Sequence, residues 1–166
     1  MYLSGFDVYG TTGSFINGSH PNNNLINLSG LENLTSIPIL IIHDNFNLVK
    51  LSSLEGLTSI NYNLSLFSNN SLTSLSNLEG LTTIGALRLN DNPMLENCSI
   101  ISVCNHIADG GTVIISGNAP GCNSVDEVVS CCDSIGAIKH PIFYDLNENG
   151  IFEKGEPFYL YASVKN

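Results

Sequence analysis

Leucines recur along this chain at spacings that no single helix or strand produces. Three segments superpose with a period of 23 to 24 residues: Leu28-x-x-Leu31-Glu-x-Leu34-Thr-Ser-Ile37, Leu51-x-x-Leu54-Glu-Gly-Leu57-Thr-Ser-Ile60 and Leu75-x-x-Leu78-Glu-Gly-Leu81-Thr-Thr-Ile84. Each is followed by alternating apolar positions and then an asparagine: Leu40-x-Ile42-x-x-Asn45, Leu64-x-Leu66-x-x-Asn69 and Leu87-x-Leu89-x-x-Asn92. Val113-x-Ile115-x-x-Asn118 is a fourth copy of that second part. Alternation over a few residues predicts a strand with one buried face. Repetition at a fixed period predicts stacked coils, each burying its apolar face against the next. The recurring Asn is expected to turn inward and to bond backbone groups left open by the turn, forming a ladder. The β-prone Leu-Thr-Ser-Ile stretch, following Gly or Asn, predicts a second strand in each coil instead of a helix.

The ends are less regular. Residues 1–24 hold a possible strand, Phe6-Asp-Val8-Tyr9, then a Gly, Ser and Asn-rich stretch; they read as an incomplete first coil or partial cap. After the third repeat, Cys98, Ile101, Cys104 and Ile107 take the positions of Leu75, Leu78, Leu81 and Ile84. Ser124-x-x-Glu127 is a capping box, and Val125, Val128, Val129 and Cys132 follow at helical spacing, so a short helix is expected to close the stack. The organisation is thus 1–24 irregular, 25–134 repeats with a cysteine cap, and 135–166 a partial second β module. The fold class expected is mostly β, resembling a leucine-rich-repeat solenoid with parallel strands, with a disulfide-stapled C-terminal cap that has a short helix, then a β-hairpin-like loop.

All five cysteines lie between Cys98 and Cys132. Stacking brings residues about one period apart into contact, which predicts Cys98–Cys122 and Cys104–Cys132; the extra residues of the second pair are taken up by the helix. Cys132 is preferred to Cys131 because it shares the apolar face of Val125 and Val129. Four cysteines allow three pairings, and a zinc site is the competing use of the thiols. That alternative lacks a Cys-x-x-Cys pair with suitable histidines. Disulfides imply an oxidising compartment, extracellular or on the cell surface.

Charge narrows the partners. The net charge is −10, with only five bases in 166 residues, and none of them cluster. Such a chain cannot neutralise a run of phosphates, which excludes nucleic acid, and it is not drawn to an anionic membrane surface. The longest strictly apolar run, Ile39 to Ile42, is far short of the roughly 20 residues that span a bilayer, so no membrane insertion is expected. The charge is also unevenly placed: seven of the fifteen acids fall between Asp126 and the C-terminus.

Four of those acids belong to a calcium-loop pattern. Asp145-x-Asn147-x-Asn149-Gly150-Ile151-x-Glu153-x-x-Glu156 matches the twelve-residue loop at every specified position. Asp145, Asn147 and Asn149 would offer side-chain oxygens, Ile151 its carbonyl, Glu153 a direct or water-mediated contact and Glu156 two oxygens. Pro141 and Pro157 flank the loop with strand-like residues, which points to structural Ca2+ between strands instead of a helix-loop-helix sensor. An acidic Asn-Gly hairpin without metal is the competing reading.

With these residues on the page, the chain resembles the receptor-L-domain-like leucine-rich repeats of secreted bacterial surface proteins over roughly residues 25–132. The most specific part is the cap, Asn97-Cys98, Cys104 and Asn118-Ala-Pro-Gly-Cys-Asn-Ser-Val-Asp-Glu-Val128. From about Ile138 onward it resembles the start of a calcium-binding β-sandwich repeat of bacterial adhesins. Ser53, where the family usually has Gly, and the extra Cys131 depart from the pattern. The resemblance implies a non-catalytic adhesion or binding module with an unidentified protein or glycan ligand.

Outward strand positions are where such a ligand would sit: Ile41, Ser65, Arg88 and Ile114 in one row, His43, Phe67, Asn90 and Ser116 in the next. The alternative function is a structural spacer in a longer surface protein, stiffened by calcium at a domain junction. An enzyme is not expected, because His20, His43, His106 and His140 are dispersed and no nucleophile elbow, zinc-protease motif or phosphate loop is present. Glu32, Glu55 and Glu79 share one repeat position and read as a solvated stripe.

Overall fold

The computed structural model describes the strand Phe6–Tyr9 and residues 25–134. It is mostly strand, with two helices and two disulfides. The strands are β1 (Phe6–Tyr9), β2 (Ser36–His43), β3 (Ser59–Phe67), β4 (Thr83–Ile84), β5 (Ala86–Asn90) and β6 (Thr112–Ser116). They form one sheet in the order β1-β2-β3-β5-β6, with β4 paired to β3. From β2 onward, sheet order follows chain order and every pairing is parallel.

The Leu-x-x-Leu-x-x-Leu spacing has a local cause. Leu31 and Leu34, Leu54 and Leu57, Leu78 and Leu81 each donate their backbone N–H to the residue three positions earlier. Consecutive bonds of this kind turn the chain about three residues per revolution, so every third side chain points the same way. That way is inward: Leu51, Leu54, Leu57, Ile60, Leu64 and Leu66 have no solvent-accessible surface, and the same holds for Leu72, Leu75 and Leu78. Truncating one of these to Ala would cost about 2–5 kcal/mol. Leu31 and Leu34, in the first repeat, are only half-buried.

Neighbouring repeats are tied along two further lines. The N–H of Thr58 donates to the carbonyl of Thr35 and that of Thr82 to Thr58, both at 2.8 Å. Their hydroxyls donate to the same carbonyls, at 2.8 and 3.1 Å. The expected second strand is present as Ser36-Ile37, Ser59-Ile60 and Thr83-Ile84 in parallel register. In the first two repeats it runs on into the main strand instead of standing apart. Only the third is interrupted, at Gly85, where a Cβ would overlap the Asn61 carbonyl. Strand β3 has one more residue between its two apolar positions, Ile60 and Leu64, than β2 has between Ile37 and Leu40. This shifts the register between Ile37 and Ile39 and leaves Tyr62 exposed.

Both ends depart from the parallel-strand repeat. Phe6–Tyr9 is a strand, but it pairs antiparallel with β2, Phe6 opposite Ile42 and Tyr9 opposite Ile39. It runs opposite to the strands of the repeats. The stretch after Cys98 does not continue the repeat either: it forms α1 (Ile101–Ala108). Helical winding rotates a three-residue spacing by about 60° at each step. Ile101 is thereby carried out to 61% exposure, while Ile100, Val103 and Cys104 fill the core.

The closing helix α2 (Val125–Ser134) is where the capping box puts it, and Val128 and Cys132 are its buried residues. The Ser124 hydroxyl accepts the Glu127 N–H at 3.2 Å. Glu127 reaches past the usual partner and accepts the N–H groups of Gly121 and Asn123, at 2.8 and 3.0 Å. The cap is stapled by Cys98–Cys122 and Cys104–Cys132, the pairing read from the period, and Cys131 is the free thiol.

Candidate functional site

At the end of each main strand the chain makes the same turn. Asp44, Ser68, Asp91 and Gly117 all adopt a left-handed backbone, with φ of 55, 57, 54 and 70°. Each immediately precedes a ladder asparagine, and the turn swings Asn45, Asn69, Asn92 and Asn118 into the interior, where all four are buried. Asn69 Nδ2 donates to the carbonyls of Ile42 and Phe67 at 2.9 and 3.2 Å; Asn92 Nδ2 donates to Leu66 and Asn90, both at 3.0 Å. Asn118 continues the series onto Leu89 and then joins the cap through the Cys122 carbonyl at 2.9 Å. The Oδ1 of Asn123 receives the Asn118 N–H at 3.2 Å, a ladder terminus with no repeat-position counterpart in the sequence.

The turn that satisfies the interior also fixes the outer face. Ile41, Ser65, Arg88 and Ile114 stand opposite one another across β2, β3, β5 and β6. His43, Phe67, Asn90 and Ser116 form the adjacent row. The two rows expected from the sequence are therefore in register, but their exposure is uneven. Ser65 and Asn90 are buried, Ile41, His43 and Phe67 are half-buried, and Ile114 is 55% exposed. Of the three apolar positions expected to meet solvent, Ile114 alone is fully open.

Phe67 accounts for much of this. Its ring stacks on His43 with centroids 4.7 Å apart and planes 5° from parallel. The Arg88 guanidinium carbon lies 4.9 Å from the Phe67 centroid. Because β2 and β5 flank β3 on opposite sides, His43 and Arg88 cover opposite faces of the ring. Strand spacing of about 4.8 Å suits groups stacked across a sheet, so the imidazole, the ring and the guanidinium stand side by side. The row is tied at both ends. His43 Nδ1 is 2.8 Å from Asp44 Oδ2, Arg88 Nε donates to Asn90 Oδ1 at 3.0 Å, and Asn90 Nδ2 donates to Ser116 Oγ at 2.6 Å. Asn63 joins beside it, donating to Ser65 Oγ at 2.9 Å. Asp44 and Asn63 were not among the residues picked out from the sequence. The signal available for Asp44 was its place just before a ladder asparagine.

The glutamate stripe is more than a solvated face. Glu32 accepts the Gly30 N–H through both oxygens, at 3.0 and 2.9 Å, and the Ser53 hydroxyl at 3.2 Å. Glu55 accepts the Ser53 N–H at 2.8 Å and Asn77 Nδ2 at 2.7 Å. Each carboxylate closes its own turn and reaches the next repeat. Gly30 and Ser53 share a left-handed backbone, φ 101 and 84°, so Ser53 keeps the conformation of the glycine it replaces. Hydrogen bonding holds both carboxyls below the ordinary 4.5: for Glu32 the Gly30 N–H is the main cause, followed by its own N–H; for Glu55 its own N–H comes first, opposed by desolvation and then assisted by Ser53.

Among the described residues, chemistry of other kinds is thinly represented. With Cys98, Cys104, Cys122 and Cys132 in disulfides, Cys131 is the remaining thiol, half-buried beside a cavity of about 420 Å³ that Glu79 and Glu96 also line. Among the described residues no group of three or more His, Cys, Asp or Glu side chains is gathered in a way that could hold a metal ion. The calcium-loop residues Asp145, Asn147, Asn149, Ile151, Glu153 and Glu156 lie outside the described residues. No helix among the described residues is long and apolar enough to cross a membrane. Comparison with protein families, with curated protein sequences and with solved structures found no match.

Proposed function

We propose that this chain is a leucine-rich-repeat solenoid of the receptor-L-domain-like kind, acting outside the cytosol as a non-catalytic binding or adhesion module. Its ligand, a protein or glycan, is recognised on the outward face of the parallel strands. The observation that carries this reading is the row His43, Phe67, Asn90 and Ser116 together with Arg88 from the adjacent row, whose planar and polar groups hold one another in place across four strands. A pre-ordered surface of this kind loses little side-chain entropy on binding. The two disulfides support an oxidising location. The test is a panel of immobilised extracellular proteins and glycans probed with the wild-type chain, Phe67→Asp and Arg88→Glu. A ligand whose binding falls at least about tenfold in both variants supports the strand face. A ligand held equally by all three removes this face from consideration.

The calcium pattern from Asp145 to Glu156 favours a second reading, a spacer in a longer surface protein stiffened at the junction by bound Ca2+. Calcium is then expected to raise protease resistance of the segment after Ser134, and Asp145→Ala to abolish that effect. Identical digestion patterns with calcium and with chelator would exclude it.

A further inference from the structure

We propose that Arg88 anchors a carboxylate of an extended protein segment, with the adjoining apolar side chain of that segment resting on Ile114. This rests on the strand-face reading and narrows it to one ligand chemistry. A guanidinium offers five N–H donors in a planar fork. In Arg88 the Nε donor is spent on Asn90 Oδ1 at 3.0 Å, and the guanidinium carbon lies over the Phe67 ring, 4.9 Å from its centroid. Those two contacts fix its orientation and leave the end of the fork, the two terminal nitrogens, without a partner among the described residues. That end is the one that grips a carboxylate with two parallel bonds.

Charge and neighbours point the same way. The chain carries −10, yet Arg88 and Lys50 are the only Lys or Arg among the described residues, and no described acid pairs with Arg88. Asp44, at the end of the neighbouring row, is occupied by His43 at 2.8 Å. An exposed, pre-oriented and unpaired guanidinium on an acidic protein is complementary to an anion supplied from outside. Ile114 stands opposite Arg88 on β6 and is 55% exposed, an apolar contact one strand away from the charge. A sugar ring usually packs its C–H face on an open aromatic face, and Phe67 presents none, since His43 and Arg88 cover both. These observations favour a peptide over a glycan.

The test is a displayed library of linear peptides selected on the full chain, followed by affinity measurements against Arg88→Gln and Ile114→Ser. Both positions are exposed, so the fold is expected to survive. The enriched peptides should carry Asp or Glu beside Leu, Ile, Val or Phe. Arg88→Gln should weaken them at least about tenfold, as loss of a charge-assisted pair does. Replacing the peptide acid by its amide should do the same, and the two changes together should cost little more than either alone. Enriched peptides without an acid, or acidic peptides indifferent to Arg88→Gln, overturn the assignment. If those peptides are still lost on Phe67→Asp, the strand-face reading stands while the carboxylate assignment fails; indifference to every face substitution removes both. A parallel arm uses oligogalacturonate: binding that depends on Arg88, with no acidic peptide enriched, overturns the peptide in favour of an acidic glycan. A selection that enriches nothing also overturns it.

Discussion

The backbone N–H of Asn69 donates to Oδ1 of Asn92 at 3.1 Å, and Asn69 Nδ2 lies 3.3 Å from the same oxygen. One buried side chain thus completes the turn of the repeat before it, while its own amide nitrogen holds carbonyls of two successive strand ends. The buried asparagines are in this sense linked in series, each turn completed by the side chain of the next.

Asn92→Ala is therefore expected to be far more damaging than its size suggests. It orphans the buried Asn69 N–H and withdraws the donor from the Leu66 and Asn90 carbonyls. The cost should be about 3 kcal/mol in urea unfolding. Asn70→Ala, one residue from a ladder position but exposed, should stay within about 0.5 kcal/mol. Equal effects for the two would refute the ladder.

Acid should loosen the turns that Glu32 and Glu55 close. Glu32 and Glu55 have folded pKa values lowered below 4.5. A lowered folded value means the unfolded chain takes up the proton first. The contribution to stability is complete above the unfolded pKa and is lost as pH falls through the folded one. The unfolding midpoint should accordingly decline below pH 4.5, and Glu32→Gln with Glu55→Gln should flatten that decline. An unchanged pH profile in the double variant would show that these bonds do not contribute.

The cap should be inseparable from the stability of the repeats. The two disulfides close loops of 24 and 28 residues. Loops of that size are worth about 3 kcal/mol each when considered singly. Replacing both Cys104 and Cys132 by Ser should lower stability by about that amount, whereas Cys131→Ser should change little. Alkylation of the native, unreduced chain followed by peptide mapping should modify Cys131 alone. Labelling at Cys132 instead would reverse the assignment of the odd thiol.

The elements that were legible beforehand are those a fixed period dictates. The inward leucines, the four ladder asparagines, the register of the outer rows and the cysteine pairing all follow from asking which residues stand one repeat apart. Legibility failed where the period itself breaks. The stretch after Cys98 keeps a three-residue spacing that suits both a turn series and a helix, and the i+4 bond from Cys104 to Ile100 made it a helix. Phe6–Tyr9 has the composition of a strand, which carries no information about direction, so its antiparallel pairing could not be read from it. Glu32 and Glu55 looked like surface charge because a bond to a backbone N–H two residues away leaves no trace in spacing.

The sequence by itself determined which residues are equivalent, and equivalence is enough to specify a parallel sheet in which identical positions pair. The tertiary structure alone decided how unlike residues meet. His43, Phe67 and Arg88 belong to three different repeats, and Arg88 holds another position of the repeat than the other two; the three touch because parallel strands set their side chains one strand spacing apart. The same lateral packing buried Ser65 and Asn90 and left Ile114 open at the edge strand. Exposure and orientation on the outer face depend on neighbours across the sheet, and those neighbours are remote in the chain.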